Sequence, residues 1–192
     1  EAAAADQGLR VAQLAISEES DQESDGPDSA LVTVRLLKIT LTLPADYPSE
    51  GVPSIDALPL PDGSHLALRT GVNEHAGTGG VVWQCSRALC RWMGNNVHDL
   101  RGARVLELGA GTGVCGIYAA ALGASRVLLT DDDRPALLSL ARSNVSLNAG
   151  LYAEGADIQV QALVWGDGLD IPSSYNGARP YNIIIGSDLS YT

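Results

Sequence analysis

Glu107-Leu108-Gly109-Ala110-Gly111-Thr112-Gly113 follows directly on the apolar pair Val105-Leu106 and has the residue types of a turn that cradles a ligand. Side chains at the glycines would hold a nucleotide away from the main chain. Without them the chain passes beneath a ligand and offers amide N–H groups at a helix start. Glu107 adds a carboxylate near the strand end, which suits a cationic or hydroxyl-rich ligand better than a pyrophosphate and points to S-adenosylmethionine. The glycines alone leave a second option open, because Gly111, Gly113 and Gly116 also satisfy the dinucleotide fingerprint G-x-G-x-x-G.

Three further groups fit a nucleoside. Asp131-Asp132-Asp133 closes a second apolar run, Val127-Leu128-Leu129-Thr130, and an acid at a strand end is where ribose hydroxyls lie in either cofactor class. Asp131, the first acid past the strand, is the expected ribose ligand, with Asp132 or Asp133 capping the helix that opens at Pro135. Trp165 ends a third run and is placed to cover an adenine ring. Asp188 and Tyr191, three apart just beyond a fourth run, both reach the space above the same edge.

These groups work together only if secondary structure brings them to one place. Val105-Leu106 reads as a buried strand feeding a helix, Val114 to Leu122. Further strands are expected at Val127–Thr130, Ile158–Val164 and Tyr181–Gly186, with a helix at Trp83–Met93 ahead of the first. Strands alternating with helices predict an α/β fold with a parallel, Rossmann-like sheet, whose ligands bind outside the carboxyl ends of the strands. Glu107, Asp131, Trp165 and Asp188 then arrive at one sheet edge from four different strands.

Val81-Val82-Trp83, Leu106 to Gly113, Thr130-Asp131, Val164-Trp165-Gly166 and Gly186-Ser187-Asp188-Leu189-Ser190-Tyr191 follow one another in a recognisable order and spacing. In these motifs the chain from about Gly80 to Tyr191 resembles the seven-strand protein methyltransferases of lysine methyltransferase-like family 16, and the last run is similar to that family's D-x-x-Y signature. The resemblance implies a class I methyltransferase sheet, S-adenosylmethionine as methyl donor and a protein lysine as acceptor. It implies that Trp83 and Trp165 flank the cofactor and that Gly109, Ala110 and Gly111 line its methionine and ribose side. Asp131 would bind the ribose, Ser187 would contact the cofactor through its backbone where the family often has Ala, and Asp188 and Tyr191 would border the acceptor channel. Asp188 is expected to attract and orient the acceptor amine rather than serve as a dedicated general base. A small-molecule N- or O-methyltransferase would use the same cofactor edge, and a catalytically inactive cofactor-binding or interaction protein is a third reading. An NAD enzyme comes last, since it explains neither Trp165-Gly166 nor the run from Asp188 to Tyr191.

A net charge of −11 and a pI near 4.5 argue against a nucleic-acid-binding surface. The acid is concentrated early: residues 1–60 hold 11 Asp/Glu against 3 Lys/Arg, and residues 61–192 hold 12 against 9. Cys85, Cys90 and Cys115 form neither an even disulfide set nor a zinc-ligand spacing, so no metal is expected. No stretch is long and apolar enough to span a membrane and no signal peptide is visible, which fits a monomer of the cytoplasm or nucleus.

Residues 1–17 are alanine-rich and weakly helical by composition, and Ser17–Ser29, with six acids and no base, reads as a disordered linker. The expected organisation is a disordered acidic segment at 1–30, a β-rich extension at 31–58 and the methyltransferase domain at 59–192. Leu41-Thr42-Leu43-Pro44 through Tyr47-Pro48 to Pro53 resembles part of the RWD fold related to ubiquitin-conjugating enzymes. Leu58–Arg69, with Pro61-Asp62-Gly63 at its centre, is expected to form a hairpin leading into the catalytic domain. A sheet of the family's type has seven strands and the fourth ends near Thr192, so the sequence reads as a C-terminally incomplete domain with the apolar Ile183-Ile184-Ile185 strand at an open edge.

Overall fold

The structure, a computed structural model, describes residues 14–19, 36–41, 55–71, 77–96, 98, 100–166 and 181–189. Two compact units divide between Ser49 and Glu50. In the first, β1 (Leu14–Glu19) pairs antiparallel with β2 (Leu36–Leu41), Leu14 opposite Leu41. A strand at 14–19 departs from the helical and disordered character expected there. Its sequence, Leu-Ala-Ile-Ser-Glu-Glu, has no fixed local preference, and pairing with β2 supplies the hydrogen bonds that select extension. The RWD-like run from Thr42 to Pro53 lies outside the described residues.

The second unit opens on a hairpin, β3 (Ile55–Pro59) against β4 (His65–Arg69). Asp62 makes its turn, accepting hydrogen bonds from Ser64 N–H at 2.9 Å and Ser64 Oγ–H at 2.6 Å. Leu58, Leu66 and Leu68 bury their side chains in the core, so the hairpin belongs to this unit and β3 starts ahead of the expected boundary at residue 59.

Three helices and four strands follow: α1 (Gln84–Asn95), β5 (Arg104–Leu108), α2 (Val114–Ala121), β6 (Arg126–Asp131), α3 (Pro135–Leu147), β7 (Asp157–Ala162) and β8 (Ile183–Gly186). The sheet is parallel in the order β7-β6-β5-β8. The chain steps outward from β5 to β7 and then returns to the far side of β5. That reversal makes the β5–β8 boundary the switch point where open α/β sheets hold ligands. Among the described residues β8 is an edge strand, and Ile184 on it is 65% exposed.

Helix α2 explains the tightness of the core. Val114 through Ala120 are all buried, so this helix is enclosed on every side and shows no polar face. It approaches the sheet closely at Gly116, where a Cβ would stand 2.5 Å from Leu129 Cδ2 and 2.6 Å from Glu107 Oε2. The third glycine of the dinucleotide-like pattern is therefore required by helix–sheet packing, whatever the ligand.

Candidate active site

Three amides of the loop between β5 and α2 are bonded within the protein, as is one in the first turn of α2. Ala110 N–H is donated to Thr130 O at 2.9 Å and Gly113 N–H to Ala110 O at 2.7 Å. Gly111 N–H is donated to Asp131 Oδ2 at 2.6 Å, and Gly116 N–H, in the first turn of α2, to Glu107 Oε2 at 2.7 Å. The loop was expected to offer these amides to a ligand. These four amides are instead spent internally, the one in the first turn of α2 on the buried Glu107 carboxyl.

Above the loop lies a cleft of about 310 Å³, at the lower end of the range typical of small-molecule sites. It is lined by Trp83, Gly109, Ala110, Gly111, Asp131, Trp165, Ser187 and Asp188, which four different sheet strands and the lead into α1 bring together as expected. Glu107 and Gly113 do not line it. Glu107 points beneath the loop, 2% exposed, and its carboxyl is pushed up to about 8 by burial, with the Asp131 charge adding to the rise. A carboxylate turned toward a cationic ligand was the expectation. Strand alternation instead faces Glu107 toward α2, on the same side as Val105. Gly113 is the N-cap of α2, at φ +83°. Tyr191 lies outside the described residues.

Glycine is needed at two points of the cradle. A Cβ on Gly111 (φ +55°) would stand 2.8 Å from Gly79 O, and one on Gly109 (φ +61°) 2.6 Å from Leu189 Cδ2. The floor is therefore shaped by close approach from both sides.

The Asp131 end of the cleft carries a residue that sequence reasoning passed over. Arg134 lines the cleft and reaches Asp132 Oδ2 at 3.4 Å and Asp131 Oδ1 at 3.8 Å. A lone cation after three acids was the available signal. Asp131 is the deeper acid, its side chain 13% exposed against 60% for Asp132, which supports the first acid as the one facing a ribose. At the other end, Ser86 of α1 also lines the cleft, one turn after Trp83, and its Oγ lies 3.1 Å from Ser187 Oγ. Trp83 itself is held by Nε1–H donated to Thr78 O at 3.1 Å.

Asp188 stands at the mouth, exposed, in the left-handed region at φ +60°. A non-glycine residue there is uncommon and is tolerated best by Asp and Asn. The turn directs the chain so that Leu189 folds back over Gly109 and Gly186, leaving the Asp188 carboxylate at the rim. Cys85, next to it on α1, has its thiol raised by burial and by the Asp188 charge. Trp165 is 52% exposed and Val164 64%, forming an apolar lip opposite.

A parallel α/β sheet with a glycine floor and an acid at the neighbouring strand tip defines a Rossmann-like domain with its cleft at the carboxyl ends of the strands. Residues 62–192 match the lysine methyltransferase family, and the chain belongs to it. It is 39% identical over 118 residues to protein N-lysine methyltransferase METTL21A of Danio rerio, an alignment covering 62% of this chain and 50% of that protein. It is 32% identical over 130 residues to EEF1A lysine methyltransferase 3 of Mus musculus, covering 67% and 51%. It is also 31% identical over 135 residues to histone-arginine methyltransferase METTL23 of Mus musculus, covering 69% and 50%. The chain spans about half the length of these curated relatives.

Proposed function

We propose that this chain binds the cofactor of an S-adenosylmethionine-dependent protein methyltransferase acting on a lysine side chain. The observation that carries this reading is the convergence of Gly109–Gly111, Asp131, Trp165 and Asp188 on one cleft at the carboxyl edge of the sheet. The residues fit the cofactor: the cleft has the volume of a small-molecule site, and the acid beside its glycine floor suits hydroxyls. When bound, S-adenosylmethionine supplies a methyl group already activated on a sulfonium.

The protein's own part is binding, orientation and management of one proton. Asp131 holds the ribose hydroxyls while keeping Gly111 in place. Trp83 and Trp165 enclose the ring system, and Ser187, steadied by Ser86, contacts the cofactor through its backbone. Asp188 draws a cationic side chain into the mouth and aligns its nitrogen. A free lysine holds its proton up to a pKa of roughly 10.4, so attack requires the neutral amine. The apolar lip of Val164 and Trp165 favours that form by desolvation, and the proton leaves through water. Asp188 is an orienting group in this scheme, not a base.

The net charge of −11 supports a protein acceptor over a nucleic acid. Among the described residues no helix is long and apolar enough to cross a membrane. A monomer of the cytoplasm or nucleus is part of the same reading. The test is incubation with tritiated methyl donor and a cell lysate, followed by hydrolysis of the labelled protein. Methyl-lysine supports the reading. Methyl-arginine moves the acceptor to the class named for METTL23, and label confined to small metabolites overturns the protein substrate.

A further inference from the structure

Among the described residues β4 has a strand partner on one side only, and its other edge is closed by two side chains. Asn148 Oδ1 accepts Ala67 N–H at 2.9 Å and Asn148 Nδ2–H is donated to Ala67 O at 2.7 Å. Asn144 repeats the pattern two residues along the strand, taking Arg69 N–H at 2.8 Å and returning a bond to Arg69 O at 3.0 Å. The spacings match: four helical residues rise about 6 Å and two strand residues about 6.8 Å. Each carboxamide thus imitates a peptide unit of a neighbouring strand, and the donor–acceptor pattern fixes which end of each amide is which.

The two asparagines then differ. The second Nδ2 proton of Asn148 stays inside α3, donated to Asn144 O at 2.8 Å. That of Asn144 leaves the helix and is donated to Thr112 O at 3.0 Å, within the glycine loop that floors the cleft. Asn144 is fully buried, and Thr112 is 1% exposed. An Asn at this depth joins three segments distant in sequence: the hairpin, the loop and α3.

We propose that Asn144 is a positioning residue for the cofactor: its bond to Thr112 O holds the glycine loop in the shape that receives the nucleoside and ties that shape to the β3–β4 hairpin. The proposal rests on the cofactor reading above. It gives the hairpin a part in binding although neither of its strands lines the cleft.

Asn148 is the internal control, because its loss weakens the same hairpin clasp and leaves the loop bond intact. Asn144→Ala and Asn148→Ala in the full chain are compared with the unsubstituted protein by S-adenosylhomocysteine calorimetry, thermal melting and backbone hydrogen exchange. Both lower the melting temperature. Asn144→Ala alone is expected to speed exchange across Gly109–Gly113 and to weaken S-adenosylhomocysteine about tenfold, the scale of one buried hydrogen bond. Asn148→Ala shifts affinity less than about twofold. Equal changes in loop exchange and affinity for the two variants overturn the proposal. Should Asn144→Ala not fold, Asn144→Ser takes its place under the same criteria. Failure of the folded, unsubstituted protein to bind S-adenosylhomocysteine overturns the cofactor reading instead, whereas the exchange comparison still reports whether Asn144 holds the loop.

Discussion

The Asp131 carboxylate accepts the Gly111 N–H at 2.6 Å, so the tip of β6 and the glycine loop after β5 are one bonded unit. An acid at this strand end therefore has two tasks: it shapes the floor of the cleft and presents its remaining lone pairs to whatever lies above. Arg134 and the backbone of Asp132 add to the set that steadies it.

Asp131→Ala is expected to weaken S-adenosylhomocysteine by more than about tenfold, since it removes both a ligand-facing acceptor and the Gly111 anchor. Asp132→Ala, at an exposed position, should change affinity by less than about twofold. Calorimetry on the two variants decides which acid of the triplet faces the ribose. A larger effect at Asp132 would reassign the role.

Asp188→Asn keeps a residue suited to φ +60° and removes the charge. Methyl transfer should fall by about a hundredfold or more with cofactor affinity nearly unchanged, the pattern of a lost orienting contact. Unaltered turnover in this variant would remove Asp188 from the acceptor site.

Gly111→Ala places a Cβ 2.8 Å from Gly79 O at a positive φ. The cost is about 1–3 kcal/mol of stability, together with loss of cofactor binding as the floor shifts. Gly155→Ala, also at positive φ but in open space, should cost only the backbone strain. Denaturant midpoints and calorimetry on the pair separate crowding at the cleft from strain alone.

Glu107 makes stability depend on pH. Its carboxyl rises from 4.5 to about 8 in the fold, because burial among apolar groups disfavours the charged form. Unfolded, the group loses its proton near 4.5; folded, it keeps it until about 8, so across that interval the native state binds the extra proton. The contribution is full below the unfolded value, declines as pH rises, and is gone above the folded value. Glu107→Gln retains an oxygen for Gly116 N–H and should flatten this decline in thermal melts taken across the interval. Identical pH slopes in both proteins would show that Glu107 ionises normally.

Much of the parallel domain is legible in the residues themselves. Apolar runs ending in Glu107-Leu108-Gly109, Thr130-Asp131 and Gly186-Ser187-Asp188 mark strands whose tips carry chemistry, since buried parallel strands are apolar throughout and their ends are where polarity resumes. The glycine pattern is equally plain, but it could not say what each glycine does. Gly111 meets Gly79 O, Gly109 meets Leu189 and Gly116 meets Leu129, and each partner comes from a different part of the chain.

Side-chain direction decided the rest. Local sequence placed Glu107 at the right edge of the sheet, and only the pleat turned it beneath the loop instead of into the cleft. The strand at 14–19 depends on its partner at 36–41, because its own residues carry no strong preference and pairing supplies the bonds. Ser86 meets Ser187, and Asn144 meets Thr112 beneath the cleft, through packing between elements far apart in the chain. Residue types and short-range spacing thus determined which elements form and where ligands meet them, whereas the contacts that shape the floor are long-range, and only the folded chain brings those partners together.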